Sequence, residues 1–221
     1  MRRLSLAAVA AVMGAVLSAA QPPAPAAAEV AAALQKKYDG IRDFTADFVH
    51  EAEGGILRRK MSERGTVQIK KPGRMRWDYT APEKKLFVSD GNRMYLYIPA
   101  DKQVVISAVP EADEATTAVL FLAGKGNLTR DFAVSFTEPG TADTYSLRLQ
   151  PKLPERDYDW LHIVVERTTM RIRTLAAADA QGGRSTFRFS SFKENLGLAD
   201  KIFEFKPPRG VDVVTSGTPA R

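Results

Sequence analysis

The 221-residue chain contains no cysteine. That absence excludes disulfide staples, thiolate metal sites and a cysteine nucleophile, and it removes the residue on which an N-terminal acyl anchor is built. The fold must be held by its apolar core, which a chain of this length can supply. Histidine is nearly absent too, with only His50 and His162. His50 falls in phase with Phe44, Ala46 and Phe48, and His162 sits in "WLHIVVE", so both read as strand residues. No H-E-x-x-H, G-x-S-x-G or phosphate-cradling glycine loop occurs. Asp157 and Asp159 in "RDYDW" offer too few oxygens for a calcium loop, and "NLT" at Asn127 is an acceptor triplet common by chance. The composition therefore names no catalytic residue, no metal ligands and no cofactor.

Extended apolar runs are also lacking after the first. Residues 4–17 follow Arg2 and Arg3, are too short to span a bilayer comfortably, and lead into small residues, which predicts a cleaved secretory signal. Ala20 and Ala28 each end a fitting small-x-small site, so residues 1–28 are expected to be signal and low-complexity leader, and residues 29–221 one soluble domain. Net charge is +6, or +4 without Arg2 and Arg3, and the basic residues are scattered among 26 acidic ones. That pattern argues against a nucleic-acid surface and leaves attraction to anionic partners open.

What is present is alternation. Val30, Leu34, Tyr38 and Ile41 mark one helix face, with Gly40 as a stop. Beyond it the period becomes two, over 44–51, 56–70, 74–79, 85–89, 93–98, 103–107, 131–136, 144–150, 160–166, 170–176 and 185–192. About eleven antiparallel strands with hairpin turns such as "DGN" at 90–92 predict a sandwich, a barrel or a half-barrel. One helix interrupts them at 110–124, opened by Pro110 and closed by Gly124. Its last turns are apolar all round, which fits a helix covering a sheet face or a lid in the mouth of a curved sheet.

The run "GTVQIKKPGRMRWDYTAPEKKLFVSDGNRMYLYIP", with "DFTADF" before it and "IFEFKPPRGVDV" near the end, resembles the periplasmic outer-membrane lipoprotein carrier family, the LolA-like proteins, across residues 29–213. The resemblance implies an incomplete, strongly curved antiparallel β-barrel, closed by the N-terminal helix and the mid-chain lid helix. It implies no enzyme activity and no cofactor. The implied cargo is acylated lipoproteins, taken by a monomer from an inner-membrane ABC transporter to an outer-membrane receptor across the periplasm. Met75 and Trp77 match inward positions of the acyl cavity, which Phe44, Phe48, Leu120, Phe121 and Leu122 would help line. Lys71 matches the basic residue before the proline, an implied lid latch at which many members carry arginine. Arg74 and Arg76 alternate onto the opposite face, where solvent is expected. The resemblance leaves open a lipid- or lipoprotein-sensing module and a paralogue serving a glycolipid or pigment pathway.

Overall fold

The computed structural model describes residues 24–54, 59–109, 122, 124, 126–137, 140–155, 158–179 and 181–216. Helix α1 (Ala27–Asp39) opens with the Glu29 carboxylate accepting from the Ala26 N–H at 3.0 Å. Its buried stripe, Val30, Ala31, Leu34 and Tyr38, is the one expected from a period near 3.6.

Among the described residues twelve strands then form one sheet: β1 (Asp43–Gly54), β2 (Arg59–Lys70), β3 (Arg74–Ala81), β4 (Lys85–Asp90), β5 (Arg93–Ile98), β6 (Gln103–Ala108), β7 (Phe132–Phe136), β8 (Thr144–Pro151), β9 (Trp160–Glu166), β10 (Ile172–Ala178), β11 (Arg184–Glu194) and β12 (Asp212–Ser216). Their spatial order is β12-β6-β5-β4-β3-β2-β1-β11-β10-β9-β8-β7. Two meanders, β1 to β6 and β7 to β11, are thus joined through the β1–β11 pair. The short helix α2 (Leu128–Asp131) precedes β7, and Asn127 caps it by accepting from the N–H groups of Thr129 and Arg130, which gives the "NLT" triplet a local structural role.

The sheet is curved and open. Strands lie about 4.8 Å apart, so the seven steps from β7 to β3 would span roughly 34 Å if flat. A helix is only about 10–12 Å across with its side chains. Yet α1 packs on β7 and β8 while its Tyr38 carbonyl accepts from Lys71 at the β2–β3 turn. One helix meets both regions because the sheet wraps around it.

Two features depart from the sequence reading. A twelfth strand exists, and β12 runs parallel to β6, so the sheet is not wholly antiparallel. A parallel neighbour needs a crossover, and residues 195–211 supply it by crossing the outer face of β3 and β4. The Asp200–Phe203 turn places Phe203 in the core, and Phe205 lies 5.6 Å from Tyr95 and 5.9 Å from Tyr97. This crossover also removes Arg74 and Arg76 from the open solvent expected for them: Arg74 binds Asp200 at 3.1 Å, and Arg76 pairs with Asp78 and reaches the Ile202 carbonyl.

Asp43 pins the start of the crossover. Positive φ at Asn195 and Gly197 curls the chain so that the N–H groups of Leu196, Gly197 and Leu198 converge on the buried Asp43 carboxylate at 2.6, 3.0 and 3.1 Å. Asp43→Ala is expected to orphan all three donors and cost about 2–3 kcal/mol. Chemical denaturation measures the loss, and amide exchange should localise it to 196–198; unchanged stability would refute the clamp.

A second anchor holds α1. Glu194 on β11 accepts from Lys37 of α1 and from Arg171 Nε at 3.0 Å. Burial pulls its carboxyl pKa up, but the two hydrogen-bonded cations outweigh that and hold it below the ordinary glutamate value. The sign follows: stability from a depressed carboxyl is present above its unfolded pKa of about 4.3 and is lost as pH falls through the lower folded value. Glu194→Gln should cost about 1–2 kcal/mol at neutral pH, with the partners' exposure already discounted. The gap from wild type should close on acidification; a gap constant with pH would show that the charge is not what matters.

Candidate functional site

The concave face is built by register. On β1 the inward side chains are Phe44, Ala46, Phe48 and His50; opposite them on β2 stand Ile69, Val67, Gly65 and Glu63; opposite those on β3 come Met75, Trp77 and Tyr79. Strand β11 adds Phe189 and Phe187 beside Phe48 and His50. A bulge, with Ser191 at φ 54°, lets Phe192 also turn inward and stack on Phe44 at 4.6 Å. Phe48 makes edge contacts with Trp77 at 5.0 Å and Tyr79 at 4.9 Å, and Trp77 contacts Phe187 at 5.2 Å. The result is an aromatic wall across four adjacent strands.

Gly65 sits at the centre of that wall, opposite Phe48 and Tyr79. A Cβ there would lie 2.0 Å from the Asp78 carbonyl oxygen, so only glycine permits the close approach of β2 and β3. The glycine that opens "GTVQIK" is required for that reason.

Phe44, Phe48, Met75, Trp77 and Leu122 fall into one buried cluster with Leu34 and Tyr38 of α1, each between 0 and 2% exposed. Among the described residues they pack together in that cluster. Leu120 and Phe121 lie outside the described residues. Trp77 keeps a buried indole N–H that has no acceptor among the described residues. The β11 rings and Tyr79 were not singled out from the sequence, although alternation at 187 and 189 carried the signal.

Lys71 lies at the seam between α1 and the end of the mid-chain segment. Its ammonium donates to the Tyr38 carbonyl, one of the last carbonyls of α1, and lies 5.5 Å from the Tyr38 ring centre. Its methylene stem runs against Gly124, where a Cβ would come within 2.9 Å of it. A small pocket of about 150 Å³ opens beside it, lined by Gln35, Tyr38, Asp39, Lys71, Gly124 and Gly126. Burial lowers the Lys71 pKa, with Asp39 opposing the shift.

The far end of the wall is polar. His50 stacks on Phe187 at 4.1 Å, with Nδ1 3.2 Å from Glu63 Oε2 and Nε2 2.9 Å from Ser185 Oγ. Lys85 reaches the other Glu63 oxygen at 2.5 Å and lies 4.3 Å over the Tyr79 ring. Burial lowers the His50 pKa more than Glu63 raises it, so the ring is neutral at pH 7. His162 faces outward, with Nε2 2.7 Å from Ser146 Oγ. Asp159 lies in the turn before β9, where its carbonyl accepts from Gln150, and Asp157 is outside the described residues.

A sequence profile described as "Outer membrane lipoprotein carrier protein LolA" matches residues 39–206. The outer-membrane lipoprotein carrier protein of Legionella pneumophila (strain Corby) is 32% identical over 184 residues, covering 82% of this chain and 87% of that protein. Its counterpart in Chromohalobacter salexigens is 28% identical over 179 residues, covering 81% and 83%. Among solved structures, an uncharacterized conserved protein from Thermus thermophilus superposes with a TM-score of 0.53 at 13% identity, covering 85% of this chain and 98% of that one, a likeness of fold alone. With the profile covering most of the chain and the carrier proteins matching about four fifths of it, the chain belongs to the outer-membrane lipoprotein carrier protein LolA family.

Proposed function

We propose that this protein binds the acyl chains of lipoproteins between its aromatic wall and the cover formed by α1 and Leu122, and carries them across the periplasm from an inner-membrane ABC transporter to an outer-membrane receptor. The observation that carries the reading is the continuous concave wall of Phe44, Phe48, Met75, Trp77, Phe187 and Phe192 beneath one helix fastened at its edge by polar contacts. Export of the domain at 29–221, with the signal removed after Ala20 or Ala28, is part of the proposal. Each methylene kept from water contributes about 0.8 kcal/mol, so a chain of roughly sixteen carbons costs on the order of 12 kcal/mol to expose. Crossing water therefore needs a sheltering protein. When the cover lifts, an acyl chain replaces Leu34, Tyr38 and Leu122 against the rings, one apolar contact for another, so loading stays reversible. Hand-over is release and recapture, with no covalent step.

In a Trp160→Phe background Trp77 is the sole tryptophan, and an acylated lipopeptide should change its fluorescence saturably while the unacylated peptide does not. Trp77→Ala, checked to be folded, should bind acyl ligand at least about tenfold more weakly, measured with a labelled lipopeptide. Unchanged affinity would exclude this wall, and saturable binding of the bare peptide would point to a peptide-sensing module instead.

Lys71 tests the cover. Removing its charge-assisted bond to the α1 terminus with Lys71→Met should favour the open form by about 1 kcal/mol and speed acyl uptake about fivefold in stopped-flow fluorescence, while Lys71→Arg restores slow uptake. Equal uptake rates for all three proteins would remove the latch from the mechanism.

A further inference from the structure

The inward row of β1 runs Phe44, Ala46, Phe48 and then His50, and six residues of strand carry it about 20 Å from the α1 end of the wall. There the lining changes character. His50, Glu63, Lys85 and Ser185 all share the inward face by register, directly beside Phe187, Phe48 and Tyr79. Polar groups set into an apolar wall are costly unless hydrogen-bonded or used.

Their bonding can be assigned. A carboxylate only accepts, so the His50 proton sits on Nδ1 toward Glu63, and Nε2 is left to accept from the Ser185 hydroxyl. Ser185 then presents oxygen lone pairs, and Lys85 retains N–H capacity beyond its bond to Glu63. The ring of Phe187 fixes the His50 plane, the two lying 4° apart. Glu63 is buried, but Lys85 is 26% exposed and Ser185 half-buried, so an acceptor and a cationic donor stand together at the rim. One ring further in, past Phe187, Trp77 holds a buried indole N–H that has no acceptor among the described residues. An aromatic wall that ends in one acceptor and one cationic donor matches a ligand whose hydrocarbon chains end in amide or ester groups.

We propose that Ser185 and Lys85, held in place by His50 and Glu63, bind the junction where acyl chains meet the polar body of the cargo, Ser185 accepting from an amide N–H and Lys85 donating to an amide or ester carbonyl. The proposal rests on the acyl-binding reading and adds an orientation to it: chain ends lie toward α1, the junction at the His50 end.

Two ligands separate the proposal from the reading beneath it. A lipopeptide with amide- and ester-linked hexadecanoyl chains is compared with hexadecane, both followed by Trp77 fluorescence in the Trp160→Phe background. Ser185→Ala and Lys85→Met should each weaken the lipopeptide about tenfold, as expected for one lost polar contact, and leave hexadecane within about twofold of wild type. Equal losses on both ligands, or no loss on either, would overturn the junction site. Failure of wild type to bind hexadecane would strike the acyl-binding reading itself. If Lys85→Met fails to fold because Glu63 loses its cation, Ser185→Ala decides alone. Release of hexadecanoic acid from the ester by wild type but not by Ser185→Ala would show that the Ser185–His50–Glu63 series acts as a nucleophile relay, and would also overturn binding as its role.

Discussion

One sheet must bend far enough for side chains from β3 round to β7 to meet over a single helix. The other features of the molecule serve that curvature or depend on it. Close approach at Gly65 and the bulge at Ser191 let the strands bend while still presenting rings inward. With Phe192 brought inward to stack on Phe44, the wall continues without a gap from the α1 end to His50.

Apolar and polar contacts divide the work by position. The centre is held by rings and aliphatic side chains, which are non-directional and tolerate exchange for other hydrocarbon. Around the margin lie directional contacts: Lys71 on the α1 terminus, Glu194 between Lys37 and Arg171, and Asp43 under the crossover. A marginal hydrogen bond can be broken at a cost of about a kcal/mol or two, whereas exposing the ring cluster to water would cost several times more.

The C-terminal crossover contributes to the opposite face. By covering Val88, Tyr95 and Val104 from outside and adding β12 alongside β6, it gives β4 to β6 a second packed layer. Those strands consequently need no deep burial on the concave side, and Leu96 and Val105 there remain partly exposed.

The amino-acid sequence by itself determined the alternation, the helix stripe of Val30, Leu34 and Tyr38, and eleven of the strands, because each rests on local periodicity and turn chemistry. It also placed Phe44, Phe48, Met75 and Trp77 on inward faces, since parity along a strand is a local property. Other features were settled only by tertiary structure. The parallel seat of β12 depends on a crossover whose anchor, Asp43, is over 150 positions away from the N–H groups it holds. Solvent was the default for Arg74 and Arg76 until that crossover covered them. His50, Glu63, Lys85 and Ser185 lie on four different strands, and each reads alone as an ordinary polar strand residue. Only inter-strand register, set by turns, bulges and the β1–β11 closure, brings them to one point, because hydrogen-bond pairing between distant segments is a property of the folded sheet and not of any one segment.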